Sequence, residues 1–326
     1  MRFLLDREQR AFAASLDTML TAADTPSVVR DWSRGEFASG RALWSRIAAA
    51  GVFALAVPQA YEGLGPRPVE LAVAFVELGR QAVPGPLVET VAAARLPGDD
   101  DTAAKRLLPS LASGDTMATL TPPAPHSYAL DGEAATSLLA LSPDGALRLA
   151  PGHGPVHLSL DPARRLTRPT PGGELLTAHP DVAQALTWAR LATAAQALGV
   201  GLALLDRTVA YVRQRTQFGV PVGSFQAVKH QLADARLALE FARPLVFGAA
   251  LSLDPAEVAA AKVAACEAAY TTARTALQSH GAIGYTAEYD LSLWLLKARA
   301  LRTAWGSPQE CRAAVLAGLS GGDRRS

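Results

Sequence analysis

Arg213-Gln214-Arg215-Thr216-Gln217-Phe218-Gly219-Val220-Pro221-Val222-Gly223-Ser224-Phe225-Gln226 interrupts the most strongly periodic segment of the chain. Upstream of it, Leu191, Ala195, Leu198, Leu202, Leu205, Val209 and Val212 recur at alternating spacings of four and three, an apolar seam that packs one helix on another. A second stripe, Leu186, Ala189, Thr193, Ala197, Val200, Leu204, Thr208 and Tyr211, runs beside the first. A helix with two seams is buried on more than one side. It could run ~45 Å at 1.5 Å per residue, which suits a bundle or a subunit interface. The second deciding stretch is Gln278-Ser279-His280-Gly281-Ala282-Ile283-Gly284-Tyr285-Thr286-Ala287-Glu288-Tyr289. It ends a helix that Asp254-Pro255-Ala256-Glu257 opens, with Asp254 as cap, Pro255 in the first turn and Glu257 reaching back as in a capping box. A last helical pair follows Tyr289.

Working outward, three textures divide the chain: a helical part over 1–115, a Pro- and Gly-rich part over 116–180, and a helical bundle over 181–326. In the first part, Phe3 to Leu20 is amphipathic, Trp44 to Gly51 is a short helix, and Val52 to Pro58 reads as an extended apolar run before the glycine-rich loop Tyr61 to Pro66. Val69 to Gly79 is helical and is expected to stop at its glycine. In the middle part, Ser137 to Leu141 and Ala146 to Ala150 are short apolar runs separated by the turn Ser142-Pro143-Asp144-Gly145, which predicts a small β domain.

Composition narrows the function classes. The chain has 326 residues, 49% of them hydrophobic and 19% charged, so it can bury a sizeable core and is not a disordered segment. Its 31 basic and 30 acidic residues leave a charge of +1, which gives no electrostatic footprint for nucleic acid or an anionic membrane. Two cysteines, Cys266 and Cys311, are too few for a disulfide framework. The opening Met1-Arg2-Phe3-Leu4-Leu5-Asp6 turns charged at once, unlike a secretory leader, and the expected compartment is the cytoplasm. No G-x-S-x-G, Walker loop or strand-following G-x-G-x-x-G occurs. His153 and His157 are four apart around Pro155, a loop spacing that favours surface histidines over a metal pair.

The two deciding stretches together resemble the acyl-CoA dehydrogenase family. Val52 to Gly65, Glu77-Leu78-Gly79-Arg80 and the order helical, β, helical support the resemblance, which covers nearly the whole chain. It implies a mostly α fold with an N-terminal helical domain, a small shortened β domain and a C-terminal four-helix bundle. In that family the two motifs reach the FAD of a neighbouring subunit, which implies cofactor-binding roles for Arg215, Gln217, Phe218 and Gln226, and for the turn Gln278, Gly281 and Ala282. An arginine can pair with pyrophosphate oxygens, and a glycine turn lets backbone approach a ligand closely. Taken singly, Arg215 reads equally as a solvated helix-end charge, and Gln278 to Gly284 as a helix stop; the pairing of the motifs is what favours the resemblance.

The sequence also departs from the family. The glutamate that takes the substrate's α-proton is carried there as Tyr-Glu-Gly-Thr; here the matching stretch is Ala304-Trp305-Gly306-Ser307, so its position is Trp305. The alternative position on the first long C-terminal helix is Ala189. Glu310, five residues past Trp305 and about 140° around a continuous helix, is a poor substitute, and Glu288 fits a structural place better. Leu120-Thr121-Pro122-Pro123-Ala124-Pro125 stands where the family has its flavin cradle, without the acid or the Gly-Ser-Asp that follows it. The resemblance therefore implies a chain with no catalytic residue of its own: the accessory subunit of a heteromeric, α2β2 acyl-CoA dehydrogenase. FAD is then shared with a partner chain that carries the glutamate and most of the acyl-CoA contacts. A steroid-derived CoA ester is the implied substrate class and an electron-transferring flavoprotein the implied acceptor. The rivals are a self-sufficient homo-oligomeric enzyme with a displaced base, Glu288 or Glu310, and a flavin-free scaffold.

Overall fold

The computed structural model describes residues 4–123 and 127–322. Phe3, at the start of the first amphipathic segment, and Ala124 and Pro125, in the stretch compared with a flavin cradle, lie outside the described residues. Six helices come first: α1 (Arg7–Thr21), α2 (Thr25–Ser33), α3 (Ala38–Ala49), α4 (Pro68–Arg80), α5 (Leu87–Ala93) and α6 (Asp101–Ala112). Seven short strands follow: β1 (Ala118–Leu120), β2 (Ala129–Leu130), β3 (Ser137–Leu141), β4 (Leu147–Leu149), β5 (His157–Leu158), β6 (Arg165–Thr167) and β7 (Glu174–Thr177). The long helix α7 (Val182–Gln214), a two-stranded turn of β8 (Thr216–Gln217) and β9 (Val220–Pro221), then α8 (Gln226–Ser252), α9 (Pro255–His280), α10 (Leu291–Leu301) and α11 (Pro308–Gly322) complete it. The fold is mostly α, as the sequence implies.

Three sequence readings in the N-terminal helical part need correction. Val52 to Ala56 is not extended: Phe53–Ala56 is a turn of 3-10 helix, entered through Gly51 at φ +80°, and extended backbone begins only at Val57 and Pro58. Its side chains are buried in the core, and an apolar run of this length does not by itself distinguish strand from helical turn. The helix expected from Trp44 begins earlier, at Ala38. Gly79 does not stop its helix, which runs through to Arg80. It is small for packing, because a Cβ there would stand 2.1 Å from the Gln196 carbonyl oxygen of α7. Gly199 mirrors it, 1.9 Å from the Val76 carbonyl, so α4 and α7 cross on paired glycines.

The expected hairpin is present. β3 and β4 pair antiparallel around Ser142–Gly145, with β1 parallel to β3 on one side and β7 antiparallel to β4 on the other. β2, β6 and β5 form a second small sheet. His157 lies on β5 and His153 just before it, both exposed, and among the described residues no group of three metal-ligating side chains occurs.

Both seams of α7 are buried, one against α4 and α5, the other against the bundle. By length and composition α7 could cross a membrane, but 89% of its apolar window is inside the fold, so it is the core helix. Asp254 caps α9 through the N–H groups of Ala256 and Glu257, as expected. Glu257 does not close a capping box; its carboxylate accepts from the Ser252 hydroxyl, and that hydroxyl oxygen accepts from the Asp254 N–H instead.

Candidate functional site

The short connections 215–225 and 253–254 make α8 antiparallel to α7 and to α9, so α7 and α9 finish at the same end of the bundle. The Tyr211 ring near the end of α7 stacks on His280 at the end of α9, with centroids 4.1 Å apart. His280 is buried, which holds its imidazole below the usual range, and its Nδ1 meets the Ala276 carbonyl at 2.8 Å. It is a core histidine that locks the two helix ends together.

This junction gathers the predicted residues. Arg215 ends α7, Gln217 and Phe218 form the β8–β9 turn, and Gln226 begins α8; Gln278 lies in the last turn of α9, with Gly281 and Ala282 just beyond. All seven are exposed. Phe218 is 92% exposed at φ +53°, an apolar ring held out into solvent by a left-handed backbone. Gly281 has φ +63°, and a Cβ there would meet nothing within 4 Å, so open space faces the turn. Among the described residues the Arg215 guanidinium has no ion pair and no side-chain hydrogen bond. Arg274, which the sequence reading passed over, lines a hollow of about 440 Å³ with Gln231, Thr271, Gln278 and Tyr285. Nothing in its local sequence marked it; only the helical register of α9 puts it one turn from Gln278.

Trp305 and Ala189 belong to a different place. Arg190, next to Ala189 on α7, lies about 38 Å along the helix from Arg215 at 1.5 Å per residue. There the turn between α10 and α11 carries Trp305 at φ +58° and Gly306 at φ +124°. Because α10 ends before Trp305, the angle counted from it to Glu310 along one continuous helix does not apply. The turn is held from three sides: Arg190 Nε donates to the Trp305 carbonyl at 3.2 Å, Lys262 Nζ to the Gly306 carbonyl at 2.6 Å, and the Glu310 carboxylate accepts from the Ser307 N–H at 2.6 Å. That last bond holds the Glu310 carboxyl below its ordinary range. Glu288 is exposed, with its carbonyl bonded by Arg30.

Trp305 is 3% exposed, and its indole Nε1 donates to Glu89 Oε1 at 3.1 Å. The reading from sequence missed Glu89. The available signal was an acid inside the apolar run Leu87 to Val91, on a helix whose every residue is buried. Burial pushes its carboxyl up, and among the described residues Oε2 has no partner. Trp305 and Glu89 form part of the wall of a cavity of about 910 Å³ between α5, α7, α10 and the β layer. Deeper lie two more buried acids, Asp131, pushed up to about 7 by burial, and Asp161, also raised by burial. Burial lowers Lys297 in the same region to about 8, and its Nζ donates to the Val83 carbonyl.

Residues 6–115 match the model of the acyl-CoA dehydrogenase N-terminal domain, and residues 180–319 that of its C-terminal domain. The acyl-CoA dehydrogenase IpdE2 of Mycobacterium tuberculosis is 30% identical over 307 residues, 93% of this chain and 94% of that protein. Among solved structures, the ChsE4-ChsE5 complex from Mycobacterium tuberculosis superposes with a TM-score of 0.83 at 25% identity, covering 98% of this chain and 99% of that one. The Tcur3481-Tcur3483 steroid ACAD G363A variant shares the fold, with a TM-score of 0.80 at 23% identity over 97% of this chain and 99% of that one.

Proposed function

Because this chain belongs to the acyl-CoA dehydrogenase family, we propose that it is the accessory subunit of a heteromeric, FAD-dependent member of it, an α2β2 assembly whose partner chain carries the glutamate base. One observation carries this reading: at the place of the base stands an indole, buried and already donating its N–H to Glu89. An indole N–H gives a proton to a hydrogen bond; it has no basic lone pair with which to take one from carbon.

The residues at the far end of the bundle suit the phosphate and adenosine side of FAD. Arg215 and Arg274 are free to pair with pyrophosphate oxygens, Gln217, Gln226 and Gln278 can donate and accept, and the open Gly281–Ala282 turn lets a ligand approach the backbone. Phe218 is placed to cover an apolar edge. FAD would supply the hydride acceptor for the dehydrogenation; this chain would hold and orient it, exclude water with Phe218, and contribute no proton transfer. The acyl-CoA then lies mainly on the partner, with an electron-transferring flavoprotein as acceptor and the cytoplasm as compartment. Two of the structural relatives are described as pairs, one of them as a steroid enzyme, which accords with a bulky, steroid-derived CoA ester as substrate.

The rival reading, a self-sufficient enzyme with Glu288 or Glu310 as displaced base, gains a further candidate in Glu89, the one buried carboxyl among the described residues that borders the cavity beside Trp305. Purifying the chain alone and again after co-expression with its partner separates them. The accessory reading predicts a colourless lone chain and a yellow complex. A yellow lone chain, bleached by an acyl-CoA, would establish the rival.

A further inference from the structure

The end of α9 carries a buried imidazole to which the proposed function gives no task. His280 caps the 3-10 turn Gly281–Tyr285, whose first two residues are the exposed Gly281 and Ala282. Its ring is held on two sides. Tyr211 of α7 stacks on it at 21°, and Tyr289, on the link to α10, lies 5.6 Å away at 49°. The Tyr211 hydroxyl donates to the His280 carbonyl at 3.4 Å, and Gly284 folds back on the side chain, where an added Cβ would stand 3.2 Å from the His280 Cβ. The turn is thus wrapped around the imidazole, and the place of its backbone follows from that of the ring. Because Nδ1 meets the Ala276 carbonyl, it carries the proton, and Nε2 is left a buried acceptor with no partner among the described residues. The titratable side chains packed on the ring, Tyr211 and Tyr289, are phenols and not carboxylates. Arg207 of α7 and Asp290 neighbour Tyr289, and Asp290 is committed to Arg30 at 2.7 Å.

We propose that His280 is a positioning residue for the cofactor: the ring between Tyr211 and Tyr289 sets the Gly281–Ala282 turn where its backbone can meet FAD. The inference rests on the accessory-subunit reading and deepens it, because it gives the same site a response to acid. Burial holds the imidazole below its ordinary 6.5, and the Tyr211 face returns only part of the lost solvation. A second proton would put a cation where no acceptor faces the new Nε2–H. The ring must then leave the stack to reach water, and the turn wrapped on it moves too. The neutral ring's contribution is complete above about pH 6.5 and is lost as the pH falls through the lowered value.

Fluorescence titration of the two-chain complex with FAD at pH 8 and at pH 5 tests this. Wild-type affinity should fall several-fold in acid, toward about tenfold if bound FAD makes the His280 proton ten times harder to add. His280→Phe keeps a stacked ring that takes no proton, and should lose that dependence. His280→Ala removes the stack and should weaken FAD at both pH values by roughly tenfold or more, with circular dichroism and assembly unchanged. Should His280→Ala not assemble, the wild-type and His280→Phe profiles decide. A residue that only filled the core would lower the thermal midpoint when replaced and leave the pH profile of FAD binding as it is. A complex that binds no FAD at pH 8, or whose FAD affinity is untouched by Arg215→Ala, overturns the accessory-subunit reading and this inference with it. Binding that depends on Arg215 but is equal at the two pH values, or a His280→Phe complex with the wild-type profile, overturns this inference alone.

Discussion

Trp305 concentrates the chemistry of the chain into one side chain. It sits in a left-handed conformation that bulky residues avoid, and the strain is held by bonds to its own carbonyl and to that of Gly306. Trp305→Phe keeps the ring but removes the donor, leaving Glu89 with no partner at either oxygen. Such a loss costs about 1–3 kcal/mol, which a lowered thermal midpoint should report. Asp131 makes a second prediction. Its carboxyl is raised to about 7 in the fold from an ordinary value of 3.8. An acid raised on folding binds its proton more tightly in the native state. Its contribution is therefore fully present below pH ~4 and is lost as pH rises through about 7. Unfolding measured from pH 5 to pH 8 should show stability falling. Asp131→Asn should flatten that slope, because asparagine keeps the amide-accepting oxygen that bonds the Arg165 N–H and tolerates φ +53°. At this scale the sequence was half legible. Trp305 could be found by counting from a motif, but Glu89 lies 216 positions away, and only the folded chain brings the two together.

Helices account for most of what could be read in advance, because their signals are local. The turn after Gln214, the cap at Asp254 and the end at His280 all follow from neighbours a few residues apart. Where the reading failed, the cause was tertiary. Gly79 looked like a helix stop because a glycine near a helix end usually is one, yet its reason is a carbonyl on another helix. The α4–α7 crossing gives a paired test. Gly199→Ala must push the backbones apart and should cost about 1–3 kcal/mol or more, as overpacking does. Gly248→Ala on α8, where a Cβ meets nothing within 4 Å, should be neutral or stabilise by roughly 0.5–1 kcal/mol through helix propensity alone. Comparing the thermal midpoints of the two variants decides whether contact or propensity governs these glycines.

Taken whole, the molecule leaves apolar surface uncovered on the bundle. Leu237, Phe241 and Leu245 recur at four-residue spacing along α8 and are 53%, 72% and 48% exposed. Under the accessory-subunit reading, this stripe is a surface for the partner chain. Phe241→Glu should weaken association with the partner chain by ~30-fold or more, the scale of an aromatic hot spot, as read by sedimentation of the mixed chains. The residues proposed to face the cofactor could be named from sequence because they cluster in two motifs. Their convergence on one end of the bundle was not, since it depends on α7 and α9 running parallel.

The most direct test of the central claim is the affinity of the two-chain complex for FAD when only this chain is altered. With Arg215→Ala, the account predicts FAD bound roughly 10- to 100-fold more weakly, with circular dichroism and assembly unchanged. Flavin retained at wild-type affinity by an intact variant complex would contradict it.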